Sequence, residues 1–420
     1  MRRVAIVGSG QAGLQLSFGL LAHGYQVSLY SDRTPDQWLN HSRPNGTAFL
    51  FDRALQYERD LDMNPWEGHA PQGEGIHLTF MPEVGKILLT MQGRLAKRGQ
   101  AIDQRLKFSH WLSELEQRGG RLMIRSITRD DLEGIAGEHD LVVIASGKGD
   151  LTGQLFARDE ERSLYDKPQR NLALITVTNT KPWTEIPFHP IKFTFIAPVG
   201  EMFWVPFYDK SQVASYSIVF EAKAGGPMDR FGNVKNGEEA VALAKEVIRD
   251  LSPWDYEHVK DGVLTDALAW ITGRFAPTVR KPVGRLPSGK VVMALGDTAI
   301  TYDPIAAQGA NSAAKMANHV LQRIIMHGQD PFDADWMTAV FEEYWEADAK
   351  YMYSFTSALL EPITPAAAEV LVAGTKTPAV ADAFFSNFNS PQNYWPWLVD
   401  LGEAKKWIAT QMRATSAPSR

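Results

Sequence analysis

The sequence predicts an α/β fold in which a doubly wound, mostly parallel sheet domain is interrupted by a mainly antiparallel β-sheet domain and followed by a helical C-terminal region. Three observations predict it. A strand, a glycine turn, an apolar helix and a second strand fill residues 4–30. β-Rich runs replace that alternation from about 165 to 285. An apolar strand at 291–295 then leads back into a helix, and helical spacing persists to the end. The division this implies is 1–164 with 286–330 for the first, discontinuous domain, 165–285 for the β-rich domain and 331–420 for the helical region.

The opening unit runs Val4-Ala5-Ile6-Val7, Gly8-Ser9-Gly10-Gln11-Ala12-Gly13, an apolar helix, then Val27-Ser28-Leu29-Tyr30. In such a unit one glycine makes the tight turn, one lets the backbone approach a pyrophosphate and one lets helix pack on strand, which is the Rossmann-like dinucleotide fingerprint. Residues Pro35–Asn45 read as a polar loop covering a site. Leu106, Trp111, Leu112 and Leu115 share one side of a helix over 103–118, ended by Gly119-Gly120. Arg121–Ile124 and Leu141–Ile144 follow as strands, the second leading to Gly147, where close backbone approach is open. In the β-rich domain the strands are 172–177, 192–196 and 215–220, with one inserted helix, Gly237–Leu251. A helix over Asn311–His327 follows the returning strand, and Ala414–Arg420 reads as a disordered tail.

Composition narrows the function. The chain has 420 residues, 44% of them hydrophobic, and a formal charge of −6. That balance argues against nucleic acid or an anionic membrane as partner. With no cysteine there is no disulfide, thiolate metal site or cysteine nucleophile, which is compatible with a reducing cytoplasm. No apolar run approaches a membrane span, no cleavable signal is expected ahead of the first strand, and no histidines pair at metal spacing.

A second chemistry-bearing stretch runs from Gly296-Asp297 to Asn311. A carboxylate at a strand end accepts hydrogen bonds from a sugar-like chain, and a glycine-led helix start a dozen residues later offers N–H groups to an electron-rich ring. That pairing suits a flavin, with Asp297 on the ribityl hydroxyls and Gln308, Gly309, Ala310 and Asn311 at the pyrimidine end. The ordinary reading is a capped strand–turn–helix. The aromatic residues Phe193, Phe195, Phe203, Trp204, Phe207, Tyr208 and Phe220 are numerous enough to line a dry pocket, although each by itself also reads as core.

Gly8 to Leu14, Val27 to Asp36, Asp131-Leu132-Glu133-Gly134, Lys167-Pro168-Gln169-Arg170, Gly296 to Asn311 and Asn387-Phe388-Asn389 together resemble, in order and over nearly the full length, the oxygenase component of styrene and indole monooxygenases. The resemblance implies a two-component flavoprotein with a hydroxybenzoate-hydroxylase-like fold. Its cofactor would be FAD, delivered in reduced form by a separate NADH-dependent flavin reductase. With O2 it would form a C4a-peroxyflavin that epoxidises a small hydrophobic aromatic alkene. Two alternatives stay open: a single-component NAD(P)H-dependent aromatic hydroxylase, and a non-catalytic flavin carrier or sensor. A homodimer is expected only by analogy of fold.

The resemblance places an asparagine beside flavin and substrate, which corresponds to Asn45, the expected catalytic residue; Asn before Gly46 is equally a common turn pair. Ser31 stands where an acidic residue usually binds the adenosine ribose, so the contact is expected from Ser31, Asp32 or Arg33. Arg43 and Arg105 are expected phosphate or ribityl contacts, or in the case of Arg43 a solvated loop charge. Gly8, Gly10, Gln11, Ala12, Gly13, Gly147, Asp297 and Pro304 complete the expected cofactor site. Thr47, Phe49, Phe193, Phe195, Trp204 and Pro304 are the expected substrate pocket. Phe203-Trp204-Val205-Pro206 bears a faint likeness to the tryptophan-rich signature of flavin halogenases, whose tryptophans are not in place.

Overall fold

In the computed structural model, which describes residues 2–414, two sheets organise the chain. The first has six strands in the order Val283–Arg285, Val291–Ala294, Leu141–Ile144, Arg3–Val7, Gln26–Ser31 and Arg121–Ile124. Its four central pairings are parallel, and only the Val283–Arg285 hairpin is antiparallel. Helices cover both faces, which is why Leu141–Ile144 is buried throughout. The helix Gln11–Ala22 buries ten of its residues between this sheet and the helix Gln308–His327.

The second sheet is ordered Val263–Leu264, Asn171–Thr178, Ala214–Ala222, Gly200–Tyr208, Pro190–Ile196, Gln72–Met81 and Leu89–Gln100, with Trp270–Gly273 also on Asn171–Thr178. All pairs are antiparallel except Gln72–Met81 with Pro190–Ile196. Residues 72–100, counted by sequence within the first domain, therefore belong to the second sheet. Their glycines obscured the pattern. A Cβ at Gly73 or Gly99 would lie 2.8 or 2.3 Å from the Phe49 ring, and one at Gly93 would lie 2.7 Å from the backbone of Ala381. Strand glycine here marks close approach, not a turn.

The sheet's two faces have different neighbours. Phe193, Phe203, Val205 and Phe207 pack with Phe49, Phe51, Ile305 and the C-terminal helices. Trp204, Tyr216, Ile218 and Phe220 pack on the other side against Trp183 and the helix Gly237–Leu251. The C-terminal helices Pro365–Lys376 and Pro378–Ser386 thus close the first face. They also seal the outer strand, because Arg94 N–H donates to Asp382 Oδ1 at 2.7 Å and Ala96 N–H to Ser386 Oγ at 2.9 Å.

Three local differences from the sequence reading have plain causes. Pro35–His41 is a helix, because Thr34 and Gln37 form a reciprocal capping box with Pro35 at the first helical position. The helix expected from Asn311 begins at Gln308, after Ala307 turns left-handed (φ 53°). The helix Gln104–Gln117 starts on Asp103, whose carboxylate accepts from Arg105 N–H at 2.9 Å. Of the expected tail, Ala414 ends the helix Leu401–Ala414 and the remainder lies outside the described residues. Among the described residues, no single helix is long and apolar enough to cross a membrane.

Candidate functional site

At the end of the strand Arg3–Val7, Gly8 has φ 119° and a Cβ there would sit 2.2 Å from Ala145 O, while one on Gly13 would sit 2.0 Å from Gly8 O. Both positions are closed to any side chain by backbone. Gly10 is the opposite case: a Cβ on it meets nothing within 4 Å, and no side chain caps the helix that starts at Gln11. Open space beside free N–H groups at a helix start fits an anionic group. The side chain of Gln11 points away, with Nε2 donating to Glu58 Oε1 at 2.9 Å in a buried network that includes Lys107. Ala12 is buried, and its methyl packs under Gly296.

Gly10→Ala is accordingly expected to leave the melting temperature near that of the parent. It should weaken FAD binding by about 10- to 100-fold, the loss of one charge-assisted contact. Isothermal titration on the refolded, flavin-free chain checks it.

Next to this turn the strand Gln26–Ser31 ends. Ser31 is fully buried, its Oγ 2.7 Å from Ser9 Oγ and 2.6 Å from Arg33 O, so its hydroxyl is committed inside the fold. Asp32 is instead half exposed, with Arg33 Nε 3.7 Å away. Asp32, Arg33, Arg43 and Asn45 line one cleft of about 380 Å³ with Gln37 and Ile271. The guanidinium of Arg43 stacks over Trp270 at 3.8 Å and that of Arg33 over Trp38 at 4.5 Å, which holds both flat against the cleft walls. The structure thus brings Asp32, Arg33, Arg43 and Asn45 together and leaves Ser31 outside.

Arg105 is also outside. It is fully buried and forks onto Asp103 (2.7 Å) and Asp266 (2.8 Å), and these two carboxylates hold its guanidinium charged in spite of its burial. No donor is left to reach a phosphate, which corrects the sequence expectation; its main remote partner, 161 residues away, carries no sequence signal.

The ring-end stretch begins where Gly296 (φ 61°) turns the chain out of the strand Val291–Ala294. Asp297 remains partly exposed, with Lys148 Nζ 3.5 Å from Oδ2. Gly147 is drawn to the same place, its N–H donating to Thr298 Oγ1 at 3.0 Å. Asp303 caps the turn Pro304–Ala306, and Ala307 then starts the helix Gln308–His327 without a side-chain cap. The Gln308 and Asn311 side chains are structural clamps: Gln308 Nε2 donates to Ala306 O and Phe388 O, both at 3.0 Å, and Asn311 Nδ2 donates to Phe49 O at 2.8 Å. What the helix start leaves for a ligand is the backbone at Gly309 and Ala310, where a Cβ on Gly309 meets nothing within 4 Å.

The wall over this turn comes from the second sheet. Phe193 and Phe203 are cross-strand partners with ring centroids 4.7 Å apart, Phe195 flanks them, and Phe388 closes on Phe193 at 5.8 Å. Phe49 stacks edge-on with Phe51, and Thr47 Oγ1 is 2.8 Å from Ser217 Oγ. Trp204 is on the other face with Trp183, because it is one residue out of phase with Phe203, and so stands apart from the Phe193–Phe203 wall. The sequence reading missed Phe388, which joins Gln308 to the aromatic wall; the signal was present in Asn387-Phe388-Asn389. It also missed Ala48, held left-handed at φ 51° in the loop that carries Asn45 and Thr47.

The two faces make a paired expectation. Trp204→Phe should lower stability by roughly 1–2 kcal/mol without changing the product profile. Phe203→Ala should change KM or product distribution. A changed product profile in Trp204→Phe would put that residue back in the site.

Taken together, the N–H donors of the glycine turn and of Gly309–Ala310 with the acceptor carboxylates of Asp32 and Asp297 are a set that fits a flavin adenine dinucleotide, with open space at Gly10 and two uncapped helix starts. Residues 147–258 match the family described as "Styrene monooxygenase A putative substrate binding domain". Styrene monooxygenase StyA of Pseudomonas fluorescens is 28% identical over 408 residues, covering 94% of each chain, and that of a Pseudomonas sp is 28% identical over 410 residues with the same coverage. Among solved structures, the flavin-dependent brominase Bmp2 superposes with a TM-score of 0.67 at 13% identity, covering 98% of this chain and 99% of that one, a likeness of fold.

Proposed function

We propose that this chain, a flavoprotein monooxygenase of the styrene monooxygenase type, receives FAD already reduced by a separate NADH-dependent flavin reductase and epoxidises a small hydrophobic aromatic alkene of the styrene or indole kind. One observation carries the reading: two helices packed against each other, Gln11–Ala22 and Gln308–His327, both start without a side-chain cap, and the second start lies under an aromatic wall. Reduced flavin, when bound, supplies with O2 the electrophilic oxygen that the alkene accepts.

The chain's own part is binding, orientation and exclusion of water. Gly8 to Gly13 seat the pyrophosphate on the helix start, Asp32 takes the adenosine ribose and Asp297 accepts from the ribityl hydroxyls. Arg33 and Arg43 balance phosphate charge from the cleft wall. The Gly309 and Ala310 N–H groups face the negative edge of the reduced ring. Pro304, Phe193, Phe195, Phe203 and Phe49 keep the alkene in a dry space, and Asn45 contacts the bound cofactor by its amide from the cleft it shares with Asp32 and Arg43. Working with an NADH-fed reductase, the protein would act in the cytoplasm.

The purified chain mixed with FAD and NADH should not consume NADH. Supplied with reduced FAD and O2, it should oxygenate styrene or indole. NADH consumption without a reductase would favour a single-component hydroxylase, and no oxygenated product from any aryl alkene or sulfide would favour a flavin carrier. Asp297→Ala should weaken FAD binding by about 1–3 kcal/mol, and unchanged affinity would remove it from the site.

A further inference from the structure

Beneath the Pro304–Ala306 turn lies a charge imbalance that neither packing nor the proposed chemistry uses. Four charged side chains meet there, all under 9% exposed: Arg170, Glu201, Glu221 and Asp303. Arg170 and Glu201 neutralise each other through a forked pair at 2.7 and 2.9 Å. That leaves two carboxyls and no cation.

Glu221 sits opposite Glu201 across the strands Gly200–Tyr208 and Ala214–Ala222, where two ionised carboxylates would repel. Neither of its oxygens has a donor. What it does reach is the carboxyl of Asp303, whose Oδ1 accepts Ile305 N–H at 3.2 Å and so holds the start of the turn. Two carboxylates facing each other have only lone pairs to offer, and a buried pair of that kind is held together by a proton on one of them.

We propose that Glu221 and Asp303 hold one proton between them, and that this shared proton clamps the Asp303–Ala307 turn onto the second sheet. The pair are therefore positioning residues for the ring-end helix start, a claim that rests on the flavin reading above. The charged groups facing them are Arg170 and Glu201, with Lys223 acting on Glu201. Burial, with Asp303 and Glu201 adding to it, pushes the Glu221 carboxyl well up; burial likewise raises Asp303 against the pull of its hydrogen bonds and Arg170.

The sign follows. Below the ordinary carboxylate range both folded and unfolded chains hold the proton. As pH rises the unfolded chain ionises first, so stability falls until the folded pair has itself ionised, and the clamp loosens over the same interval.

The test uses the full chain, as Glu221→Gln and Asp303→Asn, each of which keeps a hydrogen bond without a titrating proton. Thermal unfolding without flavin is followed from pH 5 upward, together with the Kd for dithionite-reduced FAD under nitrogen. In the parent, stability should fall and Kd should rise about tenfold as the pair ionises, the loss of one buried hydrogen bond. In both variants the two slopes should flatten, and the infrared carbonyl band of a protonated carboxyl should disappear. Parent-like slopes in both variants, or no such band in the parent, would overturn the shared proton. A flattened unfolding slope with an unchanged Kd slope would overturn the positioning role. A parent that binds no FAD at any pH is a separate failure, that of the flavin reading, and the unfolding slopes still decide the proton.

Discussion

Gly8→Ala is expected to lower stability by about 2–6 kcal/mol and to abolish FAD binding in whatever fraction still folds. Two costs act at one atom. The backbone at Gly8 has φ 119°, which an L side chain strongly resists, and the added methyl would lie 2.2 Å from Ala145 O and 2.8 Å from Ser146 N. Those atoms follow the strand Leu141–Ile144, which pairs directly with Arg3–Val7, so neither can retreat without unpairing the centre of the first sheet. Against a typical domain stability of about 5–15 kcal/mol this is a large share. Denaturant unfolding of the purified variant measures it. A loss below about 1 kcal/mol would mean that the turn yields to the added methyl.

Arg105→Met is expected to cost about 3–5 kcal/mol, because it leaves the buried Asp103 and the nearby Asp266 without their shared cation. The same change tests where the residue works. If Arg105 only ties the helix Gln104–Gln117 to the chain around Asp266, the folded variant should bind FAD with parental affinity in calorimetric titration. A variant that stays stable but loses FAD would show that the guanidinium reaches the cofactor after all. Arg105→Met with Asp266→Asn should recover part of the lost stability, since one of the two stranded charges is gone.

Much of this architecture is legible in the chain. The opening unit and the run Leu141–Ile144 stand out because a parallel sheet covered on both faces demands unbroken apolar strands, and the bounds of Gly237–Leu251 are marked by the Asn236 cap and an amphipathic face. The region 46–101 was not legible. Its strands carry glycines at 73, 75, 93 and 99, where rings and backbone of distant segments press in, and no local pattern announces a neighbour from residue 381. In the site, the division between Phe203 and Trp204 follows from simple alternation along one strand. The burial of Arg105 does not, since its partner at 266 becomes adjacent only in three dimensions. Ser31 and Asp32 fall between: the strand end was visible, but which of the two turns inward depended on Ser9.

The outermost strand, Leu89–Gln100, owes its closure to two side chains from a helix near the far end of the chain, Asp382 and Ser386. Truncating the protein before that helix would therefore not yield a smaller monooxygenase. It would bare the outer edge of that strand with the Arg94 and Ala96 N–H donors unmet, and molecules so trimmed are expected to zip together edge to edge and precipitate.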